Sequence, residues 1–166
     1  DTHASAETRC QLAARLAKAG GNNGMIGGQM IDMEAENRSF GANEIVLLQQ
    51  MKTGALFEFS CEAGAILAQA SDKDRQRLRD YARDFGLVFQ ITDDLLDVTG
   101  TAEKTGKSVG KDQDQGKATL VSIMGIDGAR AEAEKLVKHS ASALEPYGEK
   151  ANDLRELAAF LLGRES

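Results

Sequence analysis

The densest chemistry in the sequence is three closely spaced carboxylates, Asp93, Asp94 and Asp97, inside Phe85 to Val98, FGLVFQITDDLLDV. On a helix turning about 100° per residue, Val88, Ile91, Leu95 and Val98 form an apolar stripe and Gln90, Asp93 and Asp97 a polar stripe roughly opposite. Phe89, Leu96 and Leu87 flank the polar stripe, so the segment is apolar nearly all round, as buried helices are. Carboxylates there repel one another and are costly to desolvate unless paired, protonated or bound to a cation. Their oxygens suit a hard divalent ion, and Mg2+ commonly shares carboxylates with a phosphate. A solvated acidic patch at a helix end is the plain alternative.

Two lysine-bearing segments could supply the opposite charge. Thr105-Gly106-Lys107 through Gly116-Lys117-Ala118-Thr119 combines lysines with glycines that let a phosphate approach the backbone, though it does not spell a P-loop. Lys52-Thr53-Gly54 interrupts an otherwise apolar, small-residue stretch. Taken singly, the first reads equally as a solvated loop and the second as a lysine snorkelling to water. Together with the carboxylates they are the parts needed to hold a Mg2+-diphosphate.

Helices must position these groups. A chain of 166 residues with a single proline, Pro146, and abundant helix formers predicts an all-α class. Helices are expected from Ala4 to about Ala19, over 43–69, from Ser71 as N-cap to about Val98, and over about 117–144 and 150–163, with a break near Gly125 to Gly128, while Met25 to Met33 reads as an apolar segment interrupted by Gly27-Gly28. Gly27-Gly28 marks a place where another backbone or a ligand comes close. Gly100 to Gly116 is too long for a routine connection. A net charge of −6 argues against nucleic-acid binding, and no apolar run suits stable membrane insertion. Cys10 and Cys61 are too few for a disulfide framework or a zinc site, which suggests a reducing, cytoplasmic setting.

The motifs as a set, F-Q-x-x-D-D-x-x-D at Phe89 to Asp97, Gly106-Lys107, G-K-x-T at Gly116 to Thr119, G-G-Q-x-x-D at Gly27 to Asp32 and K-T-G at Lys52 to Gly54, strongly resemble the trans-isoprenyl diphosphate synthases, the farnesyl and geranylgeranyl diphosphate synthase family. The resemblance implies an isoprenoid-synthase-type helical bundle around a central cavity, of which residues 1–166 are the carboxy-terminal part. It implies condensation of an allylic diphosphate with isopentenyl diphosphate, with Mg2+, or alternatively Mn2+, as cofactor, in a homodimer. Asp93, Asp94 and Asp97 then bind metal, and Lys52, Lys107 and Lys117 hold the allylic diphosphate, with Lys107 also near the metal. Thr53 and Gln90 face the developing allylic cation, and Gln29, Asp32 and Phe89 complete the substrate site. Asp93, Asp94, Lys52 and Lys107 are the expected catalytic set. Val121 stands where the family usually has proline, which leaves the start of the following helix open. The family's first aspartate-rich motif belongs to an amino-terminal half not seen in this sequence. A non-catalytic prenyl-diphosphate-binding subunit and a class I terpene cyclase are the rival readings; the intact D-D-x-x-D and the lysines disfavour the former, Lys52-Thr53 and the two G-K segments the latter.

Overall fold

A computed structural model describes residues 3–35, 38, 40–99 and 119–164, and every helix or strand assigned among them is a helix. The expected Gly106-Lys107 and Gly116-Lys117 sites, with the whole Gly100 to Gly116 connection, lie outside the described residues.

Helix α1 (Ala6–Gly20) starts where Ser5 Oγ accepts the Thr8 amide at 3.1 Å and stops at Gly21, whose backbone is extended. Helix α2 (Met25–Ala35) buries only Gly28. Helix α3 (Ala42–Gln49) passes into a π-helical turn (Gln50–Gly54) and then α4 (Ala55–Leu67). The stretch expected as one helix over 43–69 is therefore continuous in direction but widened at its centre. Helix α5 (Asp72–Thr99) is capped by Ser71, whose hydroxyl accepts the Asp74 amide at 3.2 Å.

Helix α6 (Leu120–Ala143) starts at a Thr119–Ser122 capping box in which each side chain accepts the other's backbone N–H. That box, not a proline, defines the helix start, and it leaves Val121 free to be buried. Gly125, at φ 73°, breaks the helical path, as its sequence position suggested. A 3-10 segment (Glu145–Ala151) then leads into α7 (Asn152–Leu162).

Helix α5 is the spine, packing along α4, α6 and α7. Its first half contributes Tyr81, Ala82, Phe85 and Val88 to a core shared with Leu144, Ala151, Ala158 and Leu161. Its second half contributes Ile91 and Leu95 to another core with Phe40, Ile45, Leu48, Leu120, Val121, Ala129 and Ala133. Val98, assigned to the same stripe by periodicity, is 40% exposed. Tyr81, buried between α4 and α7, donates its hydroxyl to the Leu154 carbonyl at 2.8 Å, and burial pushes its phenol pKa up.

Candidate active site

Two glycines set the crossing of the chemistry-bearing elements. A Cβ on Gly86 would lie 3.3 Å from Gly54 Cα, so α5 and the π turn touch where neither has a side chain. Four residues on from Gly86, about 6 Å along the helix, is Gln90. The crossing therefore brings Lys52 and Thr53 to the part of α5 where the polar stripe begins. On the other side of the π turn, a Cβ on Gly28 would stand 2.3 Å from Lys52 N and 2.6 Å from Lys52 Cα. Only glycine lets α2 lie this close to the Lys52 backbone. The close approach expected at Gly27-Gly28 is thus a helix-to-turn contact.

One helical turn beyond Gly28, on the same face of α2, Asp32 accepts a hydrogen bond from Lys52 Nζ at 2.7 Å. The lysine side chain is 34% exposed and the aspartate 14%. On α5, Gln90 Nε2 donates to Asp94 Oδ1 at 2.9 Å. An ionised carboxylate only accepts, so Gln90 turns its NH2 toward Asp94 and its carbonyl oxygen elsewhere. Asp94 is buried at 4% exposure, Asp93 is exposed and Asp97 half-buried. The three carboxylates therefore differ in environment, Asp94 lying off the polar stripe that Asp93 and Asp97 share. Asp93 and Asp97, one turn apart, meet water, whereas Asp94 turns into the protein.

Thr53 lies half-buried in the π turn and Gln29 exposed on α2. Phe89 packs on Phe57 at 5.5 Å between ring centroids, and the Arg164 guanidinium lies 5.5 Å from its ring centre. Lys107 and Lys117 are outside the described residues. Among the described residues, no three acidic, histidine or cysteine side chains converge closely enough to enclose a metal ion. The donor set nevertheless fits a hard cation in kind, because Asp93 and Asp97 offer only oxygens on one helix face.

The π turn and the Lys52–Asp32 pair went unrecognised in the sequence. Nothing in Gln50-Met51-Lys52-Thr53-Gly54 signals a π turn, although such turns are frequent at functional sites. The pair had a faint signal, Asp32 one helical turn from a glycine already marked for close approach.

A cavity of about 450 Å³ lies elsewhere, between α1, the π turn and α4, and Arg15, Lys18, Gln50, Glu58, Glu62 and Arg79 are among its lining residues. None of the expected site residues lines it. Glu62, 4% exposed, is held there by Arg79, with Arg15 at 3.5 Å. Burial pushes the Glu58 carboxyl up, only partly opposed by Arg83 at 3.6 Å. Through Glu62, the ion pairs with Arg15 and Arg79 tie α1, α4 and α5 together.

Comparison with known proteins adds a lineage to this geometry. The polyprenyl synthetase family model matches residues 8–158. The chain is 38% identical over 161 residues to farnesyl diphosphate synthase of Bacillus subtilis, covering 97% of this chain and 54% of that protein. An apo crystal structure of an FPP/GFPP synthase from Zymomonas mobilis superposes with a TM-score of 0.84 at 42% identity, covering 96% of this chain and 52% of that one. A geranyltransferase from Helicobacter pylori, crystallised with magnesium and isoprenyl diphosphate, gives 0.80 at 27% identity, over 98% of this chain and 54% of that one. The chain spans about half the length of the curated relatives it matches. Motifs, all-helical architecture and the extent of the match agree: this chain belongs to the polyprenyl synthetase family.

Proposed function

We propose that this chain is the carboxy-terminal part of a trans-prenyltransferase that condenses an allylic diphosphate with isopentenyl diphosphate, releasing diphosphate and a short-chain prenyl diphosphate. The observation that carries the reading is the Gly54–Gly86 crossing, which joins a Lys52 already held in place to the α5 stripe bearing Gln90, Asp93 and Asp97. Lys52, with Lys107 and Lys117, binds the allylic diphosphate and stabilises the charge that grows on it as the carbon–oxygen bond breaks. Gln90, its NH2 engaged by Asp94, keeps its carbonyl oxygen for the allylic cation, and Thr53 serves the same purpose from the π turn. Phe89 and its aromatic neighbours limit access of water that would quench the cation. Gln29 extends the substrate wall from α2.

Asp93 and Asp97 are the residues that would hold Mg2+, and Asp94 supports them from within the protein. When bound, the ion supplies charge neutralisation at the departing diphosphate. The Helicobacter pylori relative, crystallised with magnesium and isoprenyl diphosphate, supports that choice of ion. Asp93 and Asp97 form one wall only, and the family resemblance implies a second set of carboxylates facing them. Residues 1–166 alone are therefore expected to bind Mg2+-diphosphate weakly and not to turn over, and the complete enzyme is expected to pair as a homodimer. Radiolabelled isopentenyl diphosphate and an allylic diphosphate test the proposal: the intact enzyme forms product, and the 166-residue piece and intact Asp93→Ala do not. Wild-type-like product from the piece or from Asp93→Ala would refute the metal-clamp reading.

A further inference from the structure

We propose that Asp32 is a positioning residue for Lys52: α2 holds that lysine at both ends, its backbone at Gly28 and its ammonium at Asp32, so that it waits in place for a diphosphate. The inference deepens the prenyltransferase reading and rests on it. Three observations carry it. The Asp32 carboxylate, 14% exposed, accepts from Lys52 Nζ at 2.7 Å. Gly28, one turn earlier on the same face, brings α2 so close that a single added carbon would stand 2.3 Å from Lys52 N. Lys52 itself lies in a π turn, where the backbone departs from regular helix and cannot by itself aim the side chain along a standard helical direction.

The charges determine what Asp32 can do. A carboxylate repels a diphosphate, so Asp32 is a poor direct contact for the anionic substrate. A lysine ammonium has three N–H donors, and one directed to Asp32 leaves two for phosphate oxygens. Lysine also has a long, flexible side chain whose freedom must be given up on binding. Holding the ammonium beforehand moves that cost from the binding step to folding. Asp32 therefore lowers the electrostatic attraction for diphosphate while improving the alignment of the group that stabilises the leaving charge. Lys52 raises both. Affinity and turnover should separate on substitution of Asp32 and fall together on substitution of Lys52.

The test uses the intact enzyme as wild type, Asp32→Asn, Asp32→Glu, Lys52→Met and the Asp32→Asn/Lys52→Met double variant. Calorimetry with inorganic diphosphate and Mg2+ reads affinity, steady-state kinetics read kcat and KM, and NMR reads scalar coupling between Lys52 Nζ and the Asp32 carboxyl carbon. Asp32→Asn is expected to bind Mg2+-diphosphate at least as tightly as wild type, with KM for the allylic diphosphate not raised and kcat lowered by on the order of 10²-fold, the usual effect of a misplaced group. Asp32→Glu should recover part of that loss, and the double variant should be no slower than Lys52→Met alone. If Asp32→Asn weakens diphosphate binding as much as Lys52→Met, Asp32 acts on the ligand and the proposal is wrong. Unchanged kcat in Asp32→Asn, or no coupling in a wild type that binds and turns over, overturns the positioning role alone. A wild type that binds no Mg2+-diphosphate overturns the prenyltransferase reading, and the role with it.

Discussion

Replacing Gly28 by alanine isolates the contact on which the Lys52 geometry depends. The added Cβ would stand 2.3 Å from Lys52 N and 2.8 Å from Met51 C, against the 3.4 Å at which ordinary contact begins. Both neighbours are backbone, so no rotamer change relieves the overlap, and α2 and the π turn must part by about 1 Å. In an unconstrained helix the same change would stabilise by about 1 kcal/mol. Here an overpacking cost of about 1–3 kcal/mol opposes it, leaving the protein between unchanged and about 2 kcal/mol less stable. Turnover should suffer more, because about 1 Å of displacement at Lys52 costs on the order of 10²-fold. Gly64 in α4 is the internal control, since a Cβ there meets nothing within 4 Å. Gly64→Ala should keep full turnover and gain up to about 1 kcal/mol. Thermal unfolding by circular dichroism and steady-state kinetics on the intact enzyme compare the two. Wild-type turnover in Gly28→Ala, with stability raised as in Gly64→Ala, would show that the close approach does not position Lys52.

Asp93→Ala, at an exposed position, should leave urea-unfolding stability within about 0.5 kcal/mol while abolishing product formation. Asp94→Ala should also lose about 1–3 kcal/mol, because the buried carboxylate is the Gln90 partner; equal stability of the two variants would contradict their different burial. Arg79→Met leaves the buried Glu62 charge without its nearer partner and should cost about 3–5 kcal/mol in urea unfolding, largely recovered in Arg79→Met/Glu62→Met; a neutral single variant would refute this. Glu58 has its carboxyl raised by burial, so its ionisation opposes folding: the stability of its neutral form is fully present below the ordinary carboxylate range and is lost as pH rises through the raised value. Glu58→Gln should therefore match wild type in acid and exceed it at neutral pH, and thermal melts across that range will reveal a crossover of the opposite sense if the assignment is wrong.

Much of this protein was legible from short-range chemistry. The helix start at Ser71 and the break at Gly125 follow from capping and from glycine's backbone freedom, which act over a few residues and so are written locally. The D-D-x-x-D stripe and the lysine motifs were equally readable, because their chemistry depends on residue type and spacing. What each carboxylate became was decided by packing. Periodicity set Asp93 and Asp97 on one stripe with Gln90, but only the packing around α5 decides that Asp94 is buried while Asp93 is exposed. The same holds for Val98, apolar in pattern and exposed in fact. The π turn lies where Gly28 of α2 and Gly86 of α5 come close to its backbone, and no local propensity records those contacts. Pairing of Asp32 with Lys52 likewise joins residues 20 apart in sequence, and only the crossing of α2 with the π turn decides that their side chains meet.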